Sequence, residues 1–143
     1  MSGEITKSIL IDAPASVIFK ALTDEKELVQ WMPRRARMDA RVGGEYEFNF
    51  HRTSDHSETV AKGKIVELVP NRRLVYTFAS SMAGLGPQPS LLTWTLEEGS
   101  GGKTLVTLVH SGIPEKSFNL FLGWGFYLDQ LAAYCPRVPV RSQ

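Results

Sequence analysis

The stretch TLVTLVHSGIPEKSFNLFLGWGFYLDQLAAYC, Thr104 to Cys135, changes its period part-way along. Up to His110, apolar and polar residues alternate with β-branched side chains among them, which predicts a strand. Beyond the turn residues SGIP, Phe121, Trp124, Leu128, Leu131 and Cys135 recur at steps of three and four, which predicts a long C-terminal helix ended by Pro136 and Pro139. Gly123 and Gly125 inside it each cost roughly 1 kcal/mol against alanine, so their expected use is a close approach, with the sheet as the neighbour.

Upstream of this stretch the period is two for about seventy residues. Strands are expected at Arg37 to Val42, Glu45 to His51, Thr59 to Leu68, Leu74 to Ser80, Leu91 to Glu97 and Thr104 to His110. The intervening GG, RTSDHSE, PNRR, SMAGLGPQPS and EGSGGK supply the glycine, proline and short polar residues that reversals need. A further strand, Glu4 to Ile11, opens the chain, and Pro14 then introduces a short helix over ASVIFKAL. Asp24 with Glu27 three residues on has the form of a helix cap, predicting a second short helix that reaches Trp31 and stops at Pro33. This order predicts an α+β helix-grip architecture: a curved antiparallel sheet of about seven strands wrapped around a long C-terminal helix, with two short helices after the first strand.

Composition narrows the class. At 143 residues the chain has the size of one domain, and its 43% apolar and 22% charged residues are those of a globular protein. No apolar run approaches the ~20 residues of a spanning helix, and MSGEITKSIL lacks the pattern of a secretory signal, so no membrane insertion and a cytoplasmic location are expected. A formal charge of +1 gives no electrostatic reason to expect nucleic acid. The basic segment RRAR, Arg34 to Arg37, with Arg41 and only Asp39 opposing it, reads as a solvated loop, with an anionic ligand end or acidic partner as the alternative. A single cysteine, Cys135, excludes an internal disulfide, and on an apolar helical stripe it reads as an inert buried thiol.

Alternation also sorts side chains by face. In GGEYEFNF, Gly43 to Phe50, it sets Tyr46, Phe48 and Phe50 against Glu45, Glu47 and Asn49. The same parity puts Leu74, Tyr76 and Phe78, then Leu92, Trp94 and Leu96, then Val106, Leu108 and His110 on the face toward the long helix. Such a stripe fills an ordinary core or walls a binding cavity, and parity alone leaves both open. No catalytic constellation stands out: His110 and Ser111 are adjacent in a strand and point to opposite faces. HRTSDHSE offers His51, Asp55, His56 and Glu58, but their spacing matches no metal motif and a solvated loop is expected. GLGPQPS has prolines where a phosphate cradle needs free amides. Neither a metal nor a cofactor is expected.

IDAPASVIFKALTD, QWMP, VGGEYEF, GKIVELVPNRRLVYTF, KTLVTLVHSGI and GWGFYLDQLAAY, in this order, resemble the START-like (SRPBCC) superfamily, and within it the branch homologous to the activator of heat-shock protein 90 ATPase. The resemblance runs from Ile5 to about Tyr134 and implies one START-like domain with a deep apolar cavity between sheet and long helix. It turns the inward stripe into an expected cavity wall: Trp31, Tyr46, Phe48, Phe50, Tyr76, Phe78, Trp94, Leu108, His110, Phe121, Trp124 and Leu128. The function it implies is binding of a small hydrophobic molecule such as a lipid, with SMAGLGPQPS as a flexible lip. Two alternatives stay open. One is a co-chaperone of a heat-shock protein 90 type ATPase, although known co-chaperones of that kind join two domains. The other is a cavity enzyme of polyketide cyclase or hydrolase type, with His110 or a tyrosine in acid–base work. A two-fold homodimer is the default assembly expected.

Overall fold

Strands and helices follow one another in a computed structural model that describes residues 2–31, 35–52, 57–80, 90–114 and 124–137. The order is β1 (Ser2–Ile11), α1 (Ala15–Thr23), α2 (Glu25–Leu28), β2 (Arg35–Met38), β3 (Glu45–Arg52), β4 (Ser57–Val69), β5 (Arg73–Ser80), β6 (Ser90–Glu98), β7 (Thr104–Pro114) and α3 (Trp124–Tyr134). All pairings are antiparallel, in the sheet order β1-β7-β6-β5-β4-β3-β2. The first strand therefore lies beside the last, and the two short helices bridge from one edge of the curved sheet to the other. The fold is the helix grip that the period change predicts.

Local chemistry fixes the helix starts. Pro14 occupies the cap position of α1 and contributes no side-chain bond; the Ala15 amide is instead taken up by the Glu98 carboxylate at the end of β6, at 2.8 Å. A carboxylate suits the positive end of the helix dipole, so a residue 83 positions away does the work of a local cap. Asp24 caps α2 by accepting the Lys26 amide at 2.8 Å. Glu27 does not complete a capping box: the Asp24 amide it would accept goes to the Lys20 carbonyl at 2.8 Å, and the Glu27 carboxylate accepts the Tyr134 hydroxyl, tying α2 to α3.

Several boundaries differ from the sequence expectation, each for a visible reason. β2 covers Arg35–Met38 rather than running to Val42, because Asp39 to Gly44 forms the turn: Arg41 N–H donates to Asp39 O and Gly44 N–H to Arg41 O, both at 2.8 Å. A side chain at Gly44 would sit 2.0 Å from the Asp39 carbonyl, so the second glycine of the pair is a steric requirement. α2 ends at Leu28, with a looser turn carrying the chain to Trp31. β7 continues beyond His110 to Pro114 through a bulge: between the pairs Ile5↔His110 and Gly3↔Ile113 it has one residue more than β1, and Gly112 adopts φ 73°. β6 begins at Ser90, inside the segment expected to be a lip, and the rest of that lip, 81–89, lies outside the described residues. The C-terminal helix is described from Trp124; the expected part before it, including Phe121 and Gly123, lies outside. At Gly125 the expected close approach is not found among the described residues, where a Cβ would meet nothing within 4 Å. Cys135 is buried in the turn after α3, and burial pushes its thiol up to about 12.

Candidate functional site

The sheet's inward face is set by alternation. β6 shows it most plainly: Ser90, Leu92, Trp94 and Leu96 are buried while the residues between them are partly exposed. Of the twelve residues expected to wall a cavity, nine have described side chains, and Trp31, Tyr46, Phe48, Tyr76, Phe78, Trp94, Leu108, His110 and Leu128 are all buried. Phe121 lies outside the described residues, as do the side chains of Phe50 in β3 and Trp124 at the start of α3.

The rings form two linked groups. Tyr46 packs on Phe48 at 4.8 Å and on Tyr76 at 4.6 Å between ring centroids, and Trp31 meets Trp94 edge-on at 6.2 Å. The Trp94 indole N–H donates to the Tyr76 hydroxyl at 2.9 Å, joining the two groups. Trp31 donates its indole N–H to the Ala21 carbonyl at 2.9 Å, which anchors the turn after α2 over the sheet. Tyr46 donates to the Thr77 carbonyl at 2.6 Å. Three of the four polar handles on these aromatics are thus used within the protein. The fourth is the Tyr76 O–H itself: the oxygen accepts from Trp94, but among the described residues no acceptor takes its proton. Burial pushes the Tyr46 and Tyr76 phenols well above their ordinary range, so both stay neutral.

At the β7 end, His110 is fully buried and its ring lies 5.2 Å from that of Phe78, edge to face. Its Nε2 is 2.6 Å from the hydroxyl of Ser90, which donates to the Phe78 carbonyl at 2.9 Å. A serine has one proton to give, so with that proton on the Phe78 carbonyl the imidazole N–H is the donor to Ser90. Burial lowers the His110 pKa to about 4, leaving a neutral ring at physiological pH. A base that weak has little drive to take a proton near pH 7, and the serine proton points away from it. The arrangement can hold a dipole; it is poorly set for acid–base work.

The histidine's partner is Ser90, from the adjacent strand, and Ser111 lies on the opposite face as parity predicts. Ser90 is a residue the sequence reading missed, yet extending the alternation of β6 back by one step from Leu92 would have found it. Lys7 was missed in the same way: it sits on the inward parity of β1, between buried Ile5 and partly buried Ile9.

The other expectations fall as follows. In the basic segment, Arg35 and Arg37 are exposed on β2 and Arg41 pairs with Asp39 at 2.8 Å. A surface groove of about 590 Å³ there gathers Arg37, Arg41 and Lys64 with Glu25, Asp39 and Glu45, so its charges balance. Glu45 and Glu47 face outward as expected. The side chains of His51, Asp55, His56 and Glu58 lie outside the described ones, and among the described residues no group of three metal-ligating side chains occurs. Among those residues, too, no helix is long and apolar enough to cross a membrane.

Comparison with known proteins agrees with this geometry. The family model described as Activator of Hsp90 ATPase homolog 1-like protein matches residues 12–135. A solved protein from Chromobacterium violaceum is 29% identical, with a TM-score of 0.81 over 94% of this chain and 99% of its own. CalU16 from Micromonospora echinospora is 25% identical, with a TM-score of 0.75 over 95% of this chain and 78% of its own. The Aha1 dimer from Colwellia psychrerythraea is 21% identical, with a TM-score of 0.75 over 93% of this chain and 96% of its own, a likeness of fold. No curated protein matches the chain. The chain belongs to the Activator of Hsp90 ATPase homolog 1-like family, a branch of the START-like superfamily.

Proposed function

We propose, from this family membership, that the protein binds a small hydrophobic ligand between the concave face of its sheet and the C-terminal helix. The observation that carries this reading is the Tyr76 hydroxyl. A buried polar group with an unused proton costs free energy unless something accepts it, and natural interiors rarely leave such groups idle. Tyr76 is fully buried among Tyr46, Trp94 and Leu92, its donor is without an acceptor among the described residues, and the surroundings are otherwise apolar. An apolar surface with one or two fixed polar groups is the usual make-up of a small-molecule site. The ligand that fits is an apolar body carrying at least one hydrogen-bond acceptor.

The test is organic extraction of the freshly purified protein followed by mass spectrometry, with Phe48→Arg, which places a charge in the middle of the aromatic group, as the control. A compound enriched in the wild-type extract and missing from the control is the expected result. In parallel, Tyr76→Phe is expected to weaken uptake of acceptor-bearing hydrophobic ligands about tenfold while leaving purely aliphatic ones unaffected. An empty extract together with no thermal shift from a panel of lipophilic compounds would remove the reading.

A further inference from the structure

Two of the described inward-facing side chains on the sheet are charged. Glu98, at the last position of β6, has its carboxylate taken up by the Ala15 amide. Lys7, in the middle of β1, has no such occupation: among the described residues its ammonium makes no ion pair and no hydrogen bond. Its place in the ladder is defined by three successive pairings, Lys7↔Leu108, Leu108↔Trp94 and Trp94↔Leu74, which put the lysine at the end of a row whose other members are all buried. The adjacent row runs Ile5, His110, Leu92, Tyr76, so the lysine is the diagonal neighbour of His110 and belongs to the same face as the Tyr76 donor. Adjacent strands lie about 4.8 Å apart, so Lys7 stands within roughly two strand spacings of Trp94.

A lysine on an edge strand can lay its stem on apolar surface and hold its ammonium in water. That alone does not favour a lysine here over the isoleucines that flank it, since Ile5, Ile9 and Ile11 fill the other inward positions of β1 whose side chains are described. A half-buried cation beside an apolar face, with no counter-ion among the described residues, is suited to an anion brought by something that covers that face. Arg37 and Arg41 are poorer candidates for this role, because the acids of their groove already balance them.

Resting on the ligand-binding reading above, we propose that Lys7 receives the anionic end of the ligand, making the ligand class an amphipathic hydrophobic carboxylate. A single ammonium is a compact point charge that matches a monoanion; phosphate and sulfate esters are held by several donors or by the planar fork of arginine. The aliphatic body then extends from the Lys7–Leu108 end along the row toward Trp94, away from the strand edge.

The experiment uses a matched pair of probes, decanoate and 1-decanol, titrated into the protein at pH 8 with tryptophan fluorescence as the readout. Three forms are compared: wild type, Lys7→Met, which keeps the stem and removes the charge, and Lys7→Arg, which keeps the charge. Wild type and Lys7→Arg are expected to prefer decanoate by about tenfold, and Lys7→Met is expected to lose that preference while binding decanol as before. Equal binding of both probes by wild type, or an undiminished preference in Lys7→Met, overturns the assignment of Lys7 and leaves the cavity reading standing. If wild type takes up neither probe, the proposal falls together with the reading it rests on.

Discussion

Tyr46 lies directly opposite Gly63 in the β3–β4 ladder, and its hydroxyl donates to the Thr77 carbonyl on β5 at 2.6 Å. The bare glycine makes this possible. A Cβ at Gly63 would stand 2.0 Å from the Thr77 carbonyl oxygen and 2.6 Å from its hydroxyl, so β5 approaches here more closely than any side chain permits. The Thr77 hydroxyl accepts the Lys64 amide at 2.9 Å, supplying by side chain a bond that a regular ladder makes by backbone. Gly63→Ala is therefore expected to destabilise the protein by more than about 3 kcal/mol in urea unfolding, and Tyr46→Phe by about 1–2 kcal/mol. An alanine variant as stable as wild type would show that the two strands can part freely at this point.

His110 makes stability depend on pH. Burial lowers its pKa from 6.5 to about 4, so as pH falls the unfolded chain takes up a proton before the native state does. Its contribution is complete above pH 6.5, declines between 6.5 and 4, and is lost below. The shift corresponds to about 3 kcal/mol over that window. His110→Gln, which does not titrate, should flatten the pH profile of the unfolding free energy in this range. Parallel profiles for the two proteins would mean that the ring protonates in the native state as readily as in the unfolded one.

The two serines near His110 are expected to behave differently. Ser90→Ala removes both the acceptor of the imidazole N–H and the donor to the Phe78 carbonyl, at a cost of roughly 1–3 kcal/mol. Ser111→Ala, on the other face, should stay within about 0.5 kcal/mol of wild type. Denaturant midpoints for the two variants distinguish contact in space from adjacency in sequence, and a reversed order would contradict the Ser90–His110 pair.

Glu25 reaches from α2 to the sheet edge, where its carboxylate accepts the Met38 amide of β2 at 2.8 Å. An edge strand of four residues has few other ties. Glu25→Ala should cost about 1 kcal/mol and raise the hydrogen-exchange rate at Met38 more than at Tyr46, on the paired strand β3. Unchanged protection at Met38 would show that β2 is held without this bond.

Sequence alone determined the sequence of elements and the face of each side chain. Period two and period 3.6 are properties of the backbone that repeat within a few residues, so the strands, the final helix and the inward parity of Tyr46, Tyr76, Trp94 and His110 were legible without knowing what packed on what. The family pieces were legible for the same reason. Tertiary structure decided which residues on a face become partners: Ser90 rather than Ser111 for His110, Tyr76 for Trp94, Glu98 for the start of α1, and Tyr134 rather than a capping box for Glu27. It also revealed that Gly63 stands where two strands come too close for a side chain and that Lys7 shares a row with Trp94. Strand register and the crossing of distant elements set these relations, and both depend on contacts between residues tens of positions apart, where no local repeat carries the information.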